Sequence, residues 1–108
     1  MNKVLNLLKN KKHWMQGDLH CKVDGVNMYC VLGGIKKEYP VKSEISNAMT
    51  RTAARRQVAD IIKKEYPETV ELVEEHGLKV NDSTVIYTFN DDIAEHKDIV
   101  KVLQKAEI

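Results

Sequence analysis

Several residue types are scarce in this chain, and each scarcity argues against a class of protein. Only two of the 108 residues are cysteine, Cys21 and Cys30. Two thiols do not build a disulfide framework, so the chain reads as a reduced, cytosolic protein. They stand nine positions apart, with no CxxC or HxxxH spacing to pair them with a histidine, so no metal site is expected. Prolines number two and glycines five, and there is no repeat, low-complexity tract or flexible linker. Neither sign of charge prevails: 17 lysines and arginines face 16 aspartates and glutamates, for a formal net charge of +1. That balance lacks the basic excess of a dedicated nucleic-acid binder and the acidic tail of a disordered solvating segment. No apolar run approaches the roughly 18 residues of a membrane span. The segment from Met1 to Leu8 is too short and too polar for a secretory leader. A phosphate-binding glycine loop is missing as well, because no lysine–serine or lysine–threonine follows Gly33-Gly34. The length fits one domain, residues 1–108, with a modest core and no resident cofactor.

The pattern that is present is mainly helical. Val4, Leu5, Leu7 and Leu8 lie on one side of a short first helix over residues 2–11. His20–Val23 and Val26–Tyr29 flank Asp24-Gly25, a dipeptide that favours a two-residue type I′ turn, so a β-hairpin is expected there. The alternative to the second strand is a helix that begins at Asn27 or Met28, runs through Cys30 to Lys37 and ends before Pro40. Within it Gly33-Gly34 lets another backbone come close, at about 1 kcal/mol of helix propensity per glycine. Ser43 is a good N-cap for a long helix over residues 44–66, with Ile45, Ala48, Met49, Thr52, Ala53, Val58, Ile61, Ile62 and Tyr66 at helical spacing. Pro67 opens the next helix, with Val70 and Val73 facing inward, and Gly77 stops it. Asn81-Asp82-Ser83 reads as a turn. Thr84–Phe89, dominated by β-branched and aromatic residues, reads as a further strand. Asn90, Asp91 and Asp92 then supply caps for a last helix with Ile99, Val100, Val102, Leu103 and Ala106 inside.

The expected fold is therefore α+β. It is a mainly helical single domain in which the hairpin and the Thr84–Phe89 strand form a small antiparallel sheet, with the first and last helices packed on it. Trp14, Tyr29, Leu32, Ile35, Val58, Ile61, Ile62, Ile86, Phe89, Val100 and Leu103 make the expected core.

Cys30 is the first residue to weigh for chemistry. At a helix N-terminus a thiolate is stabilised by the dipole and by unpaired N–H groups. A nucleophile also needs a base and an orienting group. His20, His76 and His96 are candidate bases, and Asn90 or Asp91 a candidate orienting residue. The ordinary alternative is that Cys30 is a small buried hydrophobe. For Asn90 and Asp91 the ordinary role is capping, and the rival is a polar cluster at a strand end where ligands bind. Arg51, Arg55 and Arg56 sit within two turns of the long helix. They make either a solvated face or a site for phosphate or an acidic protein, which the guanidinium fork suits. Glu38, Glu65, Glu68, Glu71, Glu74 and Glu75 form opposing acidic stretches, and separate charged faces suit a charged partner.

Three segments carry a resemblance: Trp14-Met15-Gln16-Gly17, Cys30-Val31-Leu32-Gly33-Gly34-Ile35 and Phe89-Asn90-Asp91. In this order they resemble a family of small domains of unknown function from bacteriophages and actinobacteria, with the pattern W-x-Q-G, then C-A-L-G-A-I, then W-N-D. The chain departs where Val31 and Gly34 replace alanines and where Phe89 replaces tryptophan, which keeps an aromatic plug. The resemblance implies that Trp14, Gln16, Cys30, Asn90 and Asp91 form a polar cluster in space and that the protein is phage-encoded. It brings no established activity.

These readings lead to a small non-enzymatic interaction protein in the host cytoplasm that binds, and in the stronger form inhibits, a host protein through Arg51, Arg55 and Arg56. The first alternative is a cysteine-dependent hydrolase using Cys30, His20 and Asn90 or Asp91. The second is a pocket that sequesters a nucleotide-like anion.

Overall fold

The computed structural model describes residues 2–40 and 50–108. Helix α1 spans Lys3–Leu8 and buries Val4 and Leu8, and a 3₁₀ turn, Lys11–His13, follows it. Strands β1 (His20–Val23) and β2 (Val26–Tyr29) pair antiparallel, with Cys21 opposite Met28 and Val23 opposite Val26. Both turn residues have positive φ, 50° at Asp24 and 79° at Gly25. That is the type I′ geometry, whose twist matches the twist of the strands. Trp14 adds one parallel bridge to Tyr29 on the far side of β2. Among the described residues the sheet is two-stranded.

Helix α2 spans Val31–Glu38, and Cys30 is its N-cap. A Cβ on Gly33 would fall on the backbone carbonyl of Leu19, so only glycine lets the entry to β1 lie against this helix. The backbone approach expected at Gly33-Gly34 thus takes place at Gly33. At Gly34 the neighbours are side-chain methyls of Val4 and Leu8 instead.

Helix α3 spans Arg51–Glu65. Its start differs from the sequence expectation, because Thr50 is extended and its hydroxyl accepts from the Ala53 N–H at 3.0 Å. A threonine cap therefore begins this helix at residue 51. Ser43, Ile45, Ala48 and Met49 lie outside the described residues. Helix α4 (Glu68–Glu75) follows Pro67, and Gly77 ends it with φ 72°. Val73 faces in as expected, together with the fully buried Thr69, while Val70 is half-buried.

The largest correction falls on Thr84–Phe89. It is not a strand: α5 spans Asp82–Thr88 and passes into a π-helical turn, Phe89–Ile93. β-propensity mostly records fit to a half-buried pleated surface and yields to context. Here the local signal is a reciprocal cap. Asn81 Oδ1 accepts from the Thr84 N–H at 2.9 Å, and Thr84 Oγ1 accepts from the Asn81 N–H at 3.0 Å. The burial period agrees with a helix, since Val85, Ile86, Thr88 and Phe89 are all inside. The segment packs against α2, α3 and α4. Helices offer no backbone ladder, so its N–H and C=O groups must pair within the segment.

Helix α6 spans His96–Ala106. Its N-cap is Glu95, whose N–H donates to Asp98 Oδ2 at 2.9 Å. The expected caps Asn90, Asp91 and Asp92 sit in the π turn instead. The buried residues form one cluster, in which α3 packs on α5 and α6 while α1 packs on α2 and α6. Tyr29, Ile35, Val58, Ile62, Ile86, Phe89 and Leu103 are buried as expected. Trp14, Leu32 and Ile61 line the edge of the cluster. Val100 is half-buried, and Ile99 and Val102 hold the inner face of α6. The fold is α+β and mainly helical.

Candidate functional site

Among the described residues the most connected polar side chain is that of Asn90, which is fully buried. The π turn explains its position. The Ala94 N–H reaches back to the Phe89 carbonyl at 2.8 Å, and the chain turns extended at Ala94. This leaves the Asn90 carbonyl available to accept from Gln16 Nε2 at 3.0 Å. The side chain is used to capacity. Its Oδ1 accepts from the Trp14 indole N–H at 2.8 Å and from the Val31 N–H at 3.1 Å. Its Nδ2 donates to the Met15 carbonyl at 3.0 Å and to Asp91 Oδ1 at 2.9 Å. A carboxamide has two acceptor sites and two donors, and all four are satisfied. Asn90 does cap a helix, but the helix is α2, whose first N–H it takes across the fold.

Asp91 extends the knot, because Oδ1 also accepts from the Gly17 N–H at 3.0 Å. Trp14, Gln16, Asn90 and Asp91 thus join the segment before the hairpin to the π turn. Cys30 stands beside the knot, next to Val31. It is only 3% exposed, and its Sγ accepts from the Gly33 N–H at 3.4 Å. Burial raises the thiol pKa above its ordinary value, against the lowering effect of the Gly33 and Leu32 N–H groups. A nucleophilic cysteine needs the opposite shift.

Three of the four histidines are engaged elsewhere, and His76 is exposed at the C-cap of α4. His20 stacks on Tyr29 at 4.7 Å, and its Nε2 lies 3.0 Å from Asn27 Oδ1. His96 Nε2 donates to the Leu8 carbonyl at 2.7 Å, and His13 Nδ1 to the Asn27 carbonyl at 2.8 Å. No histidine lines the hollow that Cys30 helps to wall. Among the described residues no three His, Cys, Asp or Glu side chains group as metal ligands. No described helix is long and apolar enough to cross a membrane.

The three arginines have separate tasks. Arg51 Nε donates to the Tyr39 carbonyl at 3.0 Å and its Nη2 to the Lys36 carbonyl at 3.3 Å, closing the C-terminus of α2. Arg56 pairs with Asp82 at 2.9 Å, next to the Asn81 cap of α5. Arg55 points to a different surface, a cavity it shares with Lys36, Arg51 and Ser83. The sequence did not single out Leu19, which stands between this cavity and that of Cys30 and is 44% exposed. A lone leucine in an irregular segment carries no periodic signal, so only the fold reveals it.

A scan against family models finds no match, and searches of curated proteins and of solved structures find none either.

Proposed function

We propose that this chain is a small non-enzymatic interaction protein, phage-encoded and acting in the host cytoplasm, where it binds a host protein. The observation that carries the reading is the saturation of Asn90 by Trp14, Val31, Met15 and Asp91. The polar residues that a hydrolase would need at Cys30 are spent on holding the chain together, and the thiol itself is buried and kept protonated. Binding is supported by the surface around Leu19, where an exposed apolar side chain adjoins Arg55 and Lys36. The phage origin rests on the resemblance at Trp14–Gly17, Cys30–Ile35 and Phe89–Asp91.

Arg55 is the arginine to test, because Arg51 and Arg56 hold structural contacts. Arg55→Glu is expected to weaken binding of a captured host partner about tenfold or more, through a slower, salt-dependent association rate, while leaving the melting temperature unchanged. Titration of the purified partner by calorimetry checks this. Equal affinity would remove Arg55 from the interface. The absence of any saturable protein partner would overturn the function.

A further inference from the structure

Two cavities, of about 330 and 250 Å³, adjoin across a common wall formed by Leu19 and Leu32. The first is lined by Asp18, Asp91, Tyr87 and Cys30 and by no basic residue. The second is lined by Lys36, Arg51, Arg55 and Ser83 and by no acidic one. Asp18 and Asp91 spend one oxygen each on backbone N–H groups, of Leu19 and Gly17, and each has its second oxygen left over. Arg51 donates to two backbone carbonyls and to no carboxylate. The surface is therefore an apolar saddle between a negative hollow and a positive one. One hollow lies just above and the other below the lower end of the size of small-molecule sites, about 300 Å³, and both suit single side chains better than a nucleotide.

Building on the interaction reading, we infer that this saddle takes an extended segment of a partner protein in which a basic residue, an apolar residue and an acidic residue follow one another. The apolar side chain covers Leu19 and Leu32. The basic group enters beside Asp18 and Asp91, where the Tyr87 ring adds a face for a cation. The acidic group enters between Arg55 and Lys36, where guanidinium suits a carboxylate. A segment with the charges in the opposite places meets like charge at both ends, which disfavours it.

The test is a random-peptide display selection against the wild-type chain and against an Asp18→Lys, Arg55→Glu double variant. The wild type is expected to enrich peptides with the basic–apolar–acidic order. The double variant is expected to bind those peptides about tenfold or more weakly and to enrich the reversed charge order. If the double variant melts early, Asp18→Asn and Arg55→Gln singly carry the same comparison without charge reversal, and Leu19→Asn probes the saddle. Enrichment of nothing beyond a denatured control, or of the same peptides by both proteins, would overturn the inference. A host partner that still depends on Arg55 in such a case would leave the interaction reading standing and remove only the peptide saddle.

Discussion

Asn90→Ala is expected to cost about 3–4 kcal/mol of stability. The substitution removes four hydrogen bonds at a fully buried position. It leaves the Val31 N–H, the Met15 carbonyl and the Trp14 indole N–H without partners. Each buried orphan costs about 1–3 kcal/mol, and neighbours in one network do not add fully. For a domain of this size the melting temperature should fall by roughly 15–25 °C. Trp14→Phe removes one donor and leaves Asn90 with its other partners, so its hydrogen-bond loss is about 1 kcal/mol. Urea unfolding of the two variants checks the order. If Asn90→Ala unfolds no more easily than Trp14→Phe, the knot is not what joins the two ends of the chain.

Gly33→Ala is expected to be of similar severity, at about 3 kcal/mol, despite alanine's advantage of about 1 kcal/mol in a helix. The new Cβ meets the Leu19 carbonyl, which is backbone and already accepts from the Cys30 N–H at 3.3 Å. Relief requires moving the entry to β1 or the start of α2. Gly34→Ala is the matched control. Its Cβ would lie 3.2 Å from Val4 Cγ1 and 3.3 Å from Leu8 Cδ1, both ends of side chains that can shift. Propensity and crowding nearly cancel there, and stability should stay within about 1 kcal/mol of the wild type. Equal effects of the two substitutions in denaturant titrations would contradict the close approach at Gly33.

Much of the fold is legible where a local device decides the outcome. Asp24-Gly25 requires two positive φ angles and so specifies its hairpin. Pro67 and Gly77 bracket α4. The glycine pair in α2 announces a backbone approach that occurs at Gly33. The sequence misleads where residue type competes with context. Val85, Ile86, Tyr87 and Phe89 favour strands, yet the Asn81–Thr84 cap and three neighbouring helices make the segment helical. That one change removes the strand end from which Asn90 and Asp91 would cap α6. Trp14, Gln16, Asn90 and Asp91 stand out by residue type, but the sequence says nothing of the π turn that aims Asn90 at the first N–H of α2. The saddle at Leu19 is less legible still, because it joins side chains from the hairpin entry, α2, α3 and α5.

The central claim is that the Cys30–Asn90 region is a structural knot and not a reactive centre. The most direct measurement is the pH dependence of iodoacetamide modification of Cys30 in a Cys21→Ser background, native against unfolded. Burial raises the Cys30 pKa, so the native thiol stays protonated where a free one, with a pKa of about 8.5, ionises. The account predicts that native Cys30 reacts only at the rate at which the chain opens, while the unfolded chain titrates like a free thiol. Rapid native modification with a thiolate pKa below the free value would contradict it and make Cys30 a nucleophile.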